Sequence, residues 1–139
     1  MKDEKQLLKD SKVNVKAKLS ALWIVIMILY IYNDMFSLFK PGVLQSMLDG
    51  YMGPFLASQG GLFAAAVLMA IPALMIFLSL VMKAKVNRIV NIVVSILYIG
   101  VMITSLIGEW YYYIFMGAVE IACNILIIVL AIKWPRVTE

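Results

Sequence analysis

Four apolar stretches, at positions 19–39, 62–82, 89–107 and 111–132, dominate the chain and restrict its folding more than any other feature. Each reaches about the 20 residues that a helix needs to cross a bilayer core roughly 30 Å thick. Irregular backbone cannot face lipid, so each stretch is predicted to be a helix that satisfies its own hydrogen bonds. Composition agrees: of 139 residues, 64% are hydrophobic and only 14% charged, far from the balance of a soluble domain. The expected fold class is all-α, an integral membrane four-helix bundle, with no room for a separate soluble domain. The first stretch lacks a small-residue cleavage site after it and reads as a retained span rather than a signal peptide.

Orientation follows from the basic residues. Lys2, Lys5, Lys9, Lys12, Lys16 and Lys18 precede the first span, Lys83, Lys85 and Arg88 lie between the second and third, and Lys133 and Arg136 follow the fourth. The opposite side has only Lys40. Basic loops stay cytoplasmic, so both termini are expected inside. Residues 1–18 then form a cytoplasmic basic arm, 19–134 one transmembrane domain, and 135–139 a cytoplasmic tail. The net charge of +4 is accounted for by topology and attraction to anionic lipid, so nucleic acid is not an expected partner.

Trp23, Trp110 with Tyr111, Tyr112 and Tyr113, and Trp134 are expected to form interfacial belts. In the first outer loop, Val43, Leu44, Met47, Leu48 and Tyr51 recur at helical spacing after Pro41, which predicts a short amphipathic surface helix ended by Gly50 or by Gly53 and Pro54. Pro72 removes a backbone hydrogen bond near the middle of the second span and should kink it. Small residues at Ala66, Ala70 and Ala73, and again at Gly117, Ala118 and Ala122, would let helices approach closely.

Charge inside a span is costly and needs a reason. Asp34 lies sixteen residues past Lys18 and Glu120 thirteen before Lys133, depths of roughly 24 and 20 Å at the rise of an α-helix. Both acids therefore occupy one layer in the outer half. Tyr30, Asn33, Asn124 and Thr104, with Ser105 nearby, extend that layer. No basic side chain is buried beside the acids, so Glu120 is expected to hold its proton at neutral pH. The residues could form a pocket for a proton, a cation or a polar head group, or a hydrogen-bonded packing layer. Oxygen ligands without histidine make a metal site unexpected. Chemistry that depends on cysteine pairs or on histidine-ligated haem is excluded by one cysteine, Cys123, and no histidine, and no cofactor is expected. A second cluster, Asn87, Arg88 and Asn91, opens the third span, with Ser95 and Tyr98 continuing its stripe. It reads first as capping and packing, and secondly as a cytoplasmic ligand or lipid-phosphate site.

The segments LSALWIVIMILYIYNDMFSLFKPG (19–42), QGGLFAAAVLMAIP (59–72), KVNRIVNIV (85–93) and YYYIFMGAVEIACNILIIVLAIKW (111–134) together resemble a family of small uncharacterised four-span bacterial membrane proteins. The resemblance covers about residues 18–134 and is most specific in the fourth span. Its architecture is also similar to the broader DoxX-like class. It implies a bacterial cytoplasmic membrane and supplies no activity. Members usually carry Glu before the Ile-Pro pair of the second span, where this sequence has Ala70.

The leading functional reading is a non-enzymatic membrane protein that binds a small polar or cationic ligand in the outer-half layer, with protonation of Glu120 as a coupled step. A second is a structural or accessory subunit, as a homo-oligomer or within a larger membrane complex. A third is a lipid-modifying enzyme using Asp34 and Glu120 as acid and base. Neither acid lies in a recognisable catalytic motif, which ranks the enzyme last.

Overall fold

The computed structural model describes residues 10–136. Helix α1 (Val15–Ser37) is followed by a short helix α2 (Val43–Leu48), a two-stranded ribbon of β1 (Tyr51–Met52) and β2 (Phe55–Leu56), and then helices α3 (Gln59–Val81), α4 (Ala84–Ser105) and α5 (Tyr111–Ile132). The four long helices are each apolar and long enough to cross a membrane.

Two helices begin at capping side chains rather than where hydropathy rises. Asn14 Oδ1 accepts from the Lys16 amide at 2.9 Å, and Ser58 Oγ accepts from the Gly61 amide at 3.1 Å. Helix α1 therefore reaches into the predicted basic arm and α3 starts before its predicted span, while α4 starts at Ala84 without a side-chain cap, so Asn87 and Asn91 lie inside it and pack rather than cap. The physical reason is that hydropathy marks where lipid begins, whereas a helix begins where its first amides find acceptors. Residues 1–9 of the arm and 137–139 of the tail lie outside the described residues.

Around the bundle, α1 packs on α3 and on α5, α5 packs on α4, and a shorter contact between α3 and α4 closes the ring. The end that carries the first and last described residues and the α3–α4 turn is called here the terminal end, and the opposite one the α2 end. Near the terminal end Leu19, Trp23, Ile26, Met75, Cys123 and Ile127 form the apolar core. Trp23 is fully buried rather than part of an interfacial belt, and its ring meets Tyr98 edge-on at 6.5 Å. Its indole is buried because a partner exists for its N–H, Asn91 Oδ1 at 2.8 Å. Trp110 and Tyr111 do stand exposed at the α2 end.

Large apolar residues such as Ile31, Phe63, Phe77, Val93 and Phe115 cover the outside, while Ser20, Asn33, Ser79, Asn87, Asn91, Ser95, Glu120 and Asn124 are buried. Such a surface suits lipid as solvent, and in lipid helices associate by packing and hydrogen bonding rather than by a hydrophobic drive.

The first connection departs from expectation. Helix α2 stops at Leu48, and Tyr51 belongs to β1, paired with Leu56 while Met52 pairs with Phe55. Gly53 takes φ +60° ahead of Pro54, whose ring fixes a negative φ, which is the residue order of a two-residue hairpin turn that opens on glycine. The Gly-Pro pair thus turns a ribbon instead of ending a helix. Among the small residues, Gly117 is buried between α5 and α4, whereas Ala66, Ala70, Ala73, Ala118 and Ala122 face out of the bundle.

Candidate polar site in the bundle interior

The buried face of α5 repeats at helical spacing as Gly117, Glu120, Asn124, Ile127 and Ala131. Gly117 sets how closely α4 approaches, because a Cβ there would lie 2.6 Å from Leu106 Cδ2 and 2.9 Å from Met102 Sδ. One turn further along, Glu120 is only 1% exposed. The Tyr30 phenol of α1 comes close enough to the Glu120 carboxyl to interact with it, and the Tyr30 and Tyr98 rings lie 6.4 Å apart. Asn124 donates to the Glu120 backbone carbonyl at 3.1 Å, which uses its amide nitrogen within its own helix.

What remains is a set of oxygens without partners. Glu120 Oε1, Asn124 Oδ1, Asn33 Oδ1 and Ser95 Oγ are all buried and make no hydrogen bond. A stranded buried polar atom costs roughly 1–3 kcal/mol, and three of these four are acceptors only when Glu120 is ionised. A proton on Glu120 would add a single donor. The Ser95 hydroxyl can itself donate, so the acceptors left to a guest are the amide oxygens of Asn33 and Asn124 and the second acceptor capacity of Glu120.

The residues expected in this layer are divided by helix geometry. Tyr30, Asn33, Glu120 and Asn124 lie in or along the interior, with Asn33 one turn beyond Tyr30 on α1. Asp34 is rotated about 100° from Asn33 and is exposed at the bundle rim. Tyr113, half-buried at the start of α5, lies within electrostatic reach of Glu109, Asp34 and Glu120 and beside Ser105, and makes no hydrogen bond to any of the three acids. Thr104 is exposed, and its hydroxyl donates to the Val101 carbonyl of its own helix at 2.8 Å.

The second cluster is separate and fully bonded. Asn91 Nδ2 donates to Asn87 O at 2.9 Å and to Asn87 Oδ1 at 2.6 Å, while Asn87 Nδ2 donates to Ser79 O at 2.6 Å. Asn91 Oδ1 accepts from both Trp23 Nε1 and Ser79 Oγ, so one amide joins α1, α3 and α4. Arg88 does not take part and lines a groove at the terminal end.

A family profile matches residues 8–139, all four long helices included. The chain belongs to DUF6326, a family of unknown function. The match brings no likeness to the DoxX-like class with it, and no curated protein and no solved structure matches the chain.

Two features of the site are not visible as a local pattern. Tyr113 sits among belt aromatics in the sequence, and nothing local marks it as a residue near three acids. Tyr98 donates its hydroxyl to the Leu68 carbonyl of α3. Leu68 is four residues before Pro72, so this carbonyl is the one that loses its partner to the proline. The sequence signals the missing bond; only the packed bundle reveals the hydroxyl that replaces it.

Proposed function

We propose that this protein is a non-enzymatic bacterial inner-membrane protein, with both termini cytoplasmic, that binds a small cation at the Glu120 layer in exchange for a proton. The observation that carries the reading is Glu120 itself, buried with Oε1 unpartnered and with Asn33 and Asn124 also offering bare carbonyl oxygens. Groups of this kind stabilise a proton, a hydrated monovalent cation or a small ammonium ion, each of which brings positive charge and, in the last two cases, several donors. Tyr113 and Asp34 extend polar character from Glu120 to the rim at the α2 end, which under the positive-inside bias is the external side. The short helix α2, with Leu44, Met47 and Leu48 exposed, would lie on that surface.

The test is proton release. Purified protein in weakly buffered detergent with a pH-sensitive dye is mixed with NaCl, KCl or methylammonium chloride. At least one of these should release up to one proton per chain, and Glu120→Gln should abolish the release. No release with all three, or release that survives in Glu120→Gln, would overturn the reading. The accessory-subunit alternative draws on a different face, the exposed Ala66, Ala70 and Ala73 of α3. It is favoured if the Glu120 variant behaves as the parent while Ala70→Leu alters the oligomeric or co-purified state.

A further inference from the structure

At the terminal end, the start of α4 and the chain after α5 enclose a groove of about 280 Å³ lined by Ala84, Lys85, Arg88, Ile89, Trp134, Pro135 and Arg136. Three of its walls are cationic and none is acidic. Among the described residues the only ion pair is Lys40 with Glu109, at the opposite end, so none of the described carboxylates pairs with Lys85, Arg88 or Arg136. Like charges gathered without a counter-charge repel one another unless an anion sits between them.

Lys85 and Arg88 are three residues apart, so both project from the same side of α4. Ile89, also in the groove, continues one turn at a time into Val93 and Ile96, all more than half exposed. An apolar stripe therefore runs from the cations along the lipid-facing side of the helix. Trp134, half-buried against the core, flanks the groove at the depth where indoles favour the lipid–water boundary. A free anion would need the cations alone. A phospholipid would use both parts, placing its phosphate among the cations and an acyl chain along the stripe.

We propose that this groove is a binding site for an anionic phospholipid, whose head-group phosphate is held by Arg88, Lys85 and Arg136 and whose acyl chain lies along Ile89, Val93 and Ile96. Arg88 supplies the planar fork suited to two phosphate oxygens, and Lys85 and Arg136 close around the head group from the exposed side. The site is independent of the Glu120 layer, which lies at a different depth and involves other residues.

Native mass spectrometry of the full-length protein, with phosphatidylglycerol or phosphatidylcholine titrated into the micelle, tests the assignment. Phosphatidylglycerol should be retained at least tenfold more than phosphatidylcholine. Arg88→Gln/Arg136→Gln should remove most of that preference, and Arg136→Gln alone, at an exposed position after α5, should lower it about threefold. Lys83→Gln, in the same turn but outside the groove, should change retention less than twofold. Equal retention of the two lipids, an unaffected double variant, or an equal loss in Lys83→Gln would overturn the proposal, the last by reducing it to diffuse surface charge. Displacement of phosphatidylglycerol by millimolar inorganic phosphate would also overturn it, in favour of a soluble phosphate ligand.

Discussion

Tyr98 and Pro72 are expected to be coupled energetically, and the coupling can be worked out from the carbonyl they share. Proline has no amide hydrogen, so Leu68 O in α3 has no ladder partner, and the Tyr98 hydroxyl of α4 donates to it instead. Tyr98 is 1% exposed, so water does not take over when the hydroxyl is removed. Tyr98→Phe keeps the ring and its contact with Trp23, and loses only the hydrogen bond. Interhelical hydrogen bonds in membranes are worth about 0.6 kcal/mol on average and up to about 1.7, and the bare carbonyl places this one at the upper end, about 1–2 kcal/mol. In a Pro72→Ala background the new backbone amide can bond Leu68 O, so the same change should cost about 0.5 kcal/mol or less, a coupling near 1 kcal/mol. Equilibrium unfolding of the four proteins by dodecyl sulfate in mixed micelles, followed by circular dichroism, measures the cycle. An isotope-edited amide I band at Leu68 should shift to higher frequency in Tyr98→Phe alone and return when Pro72→Ala is added. Equal costs of Tyr98→Phe in both backgrounds would refute the replacement of the missing amide by the phenol.

Other expectations follow from single contacts. Gly117→Ala should destabilise the α4–α5 contact by about 1 kcal/mol and Gly117→Leu by up to about 3, read as lowered thermal stability in detergent, because Leu106 and Met102 occupy the space. Asn91→Leu strands the Trp23 indole and the Ser79 hydroxyl and should cost roughly 2–4 kcal/mol, with Trp23 emission in the unfolding transition moving to lower denaturant. Glu109→Gln weakens the partly exposed pair with Lys40, 2.6 Å apart and beside the Trp110 ring, and should cost only about 0.5–1 kcal/mol. For topology, a membrane-impermeant maleimide should label Gln45→Cys on intact cells and Lys85→Cys only after permeabilisation, with Cys123 silent because it is buried.

Hydropathy made the four long helices legible, because the length of an apolar run is set by the bilayer and does not depend on neighbours. Trp23 shows where that logic stops. A tryptophan near the end of a span is ordinarily an interfacial anchor, but here an acceptor three helices later in the chain, Asn91, lets it be buried. Asp34 shows the same limit for the polar layer: residue counting fixes depth well and azimuth poorly, and one residue's rotation placed Asn33 inside and Asp34 at the rim. The Gly53-Pro54 ribbon was hidden because Tyr51 continues the helical spacing of residues 43–48, while strands of two residues are too short to show a period.

The two ends of the bundle are held together differently, and this bears on where ligand chemistry can occur. At the terminal end one amide bonds three helices, Asn87 fastens α4 to the last turn of α3, and Ser20 donates from α1 to Ile76 O at 2.8 Å. Asn87, Asn91, Ser79 and Trp23 satisfy one another there, which stabilises a single arrangement and leaves that network little to gain from a guest. Towards the α2 end the ties are the Tyr98 bond from α4 to α3, the Ser37–Tyr112 hydroxyl pair at 2.9 Å and, between the connections, the Lys40–Glu109 bridge. The stranded oxygens of Asn33, Glu120, Asn124 and Ser95 belong to neither set of links. Packing alone would not favour leaving them bare, since an apolar side chain of equal size would avoid the cost of burying an unpaired oxygen. A role limited to holding helices together therefore explains Asn91, whose bonds are all made, far better than it explains Glu120.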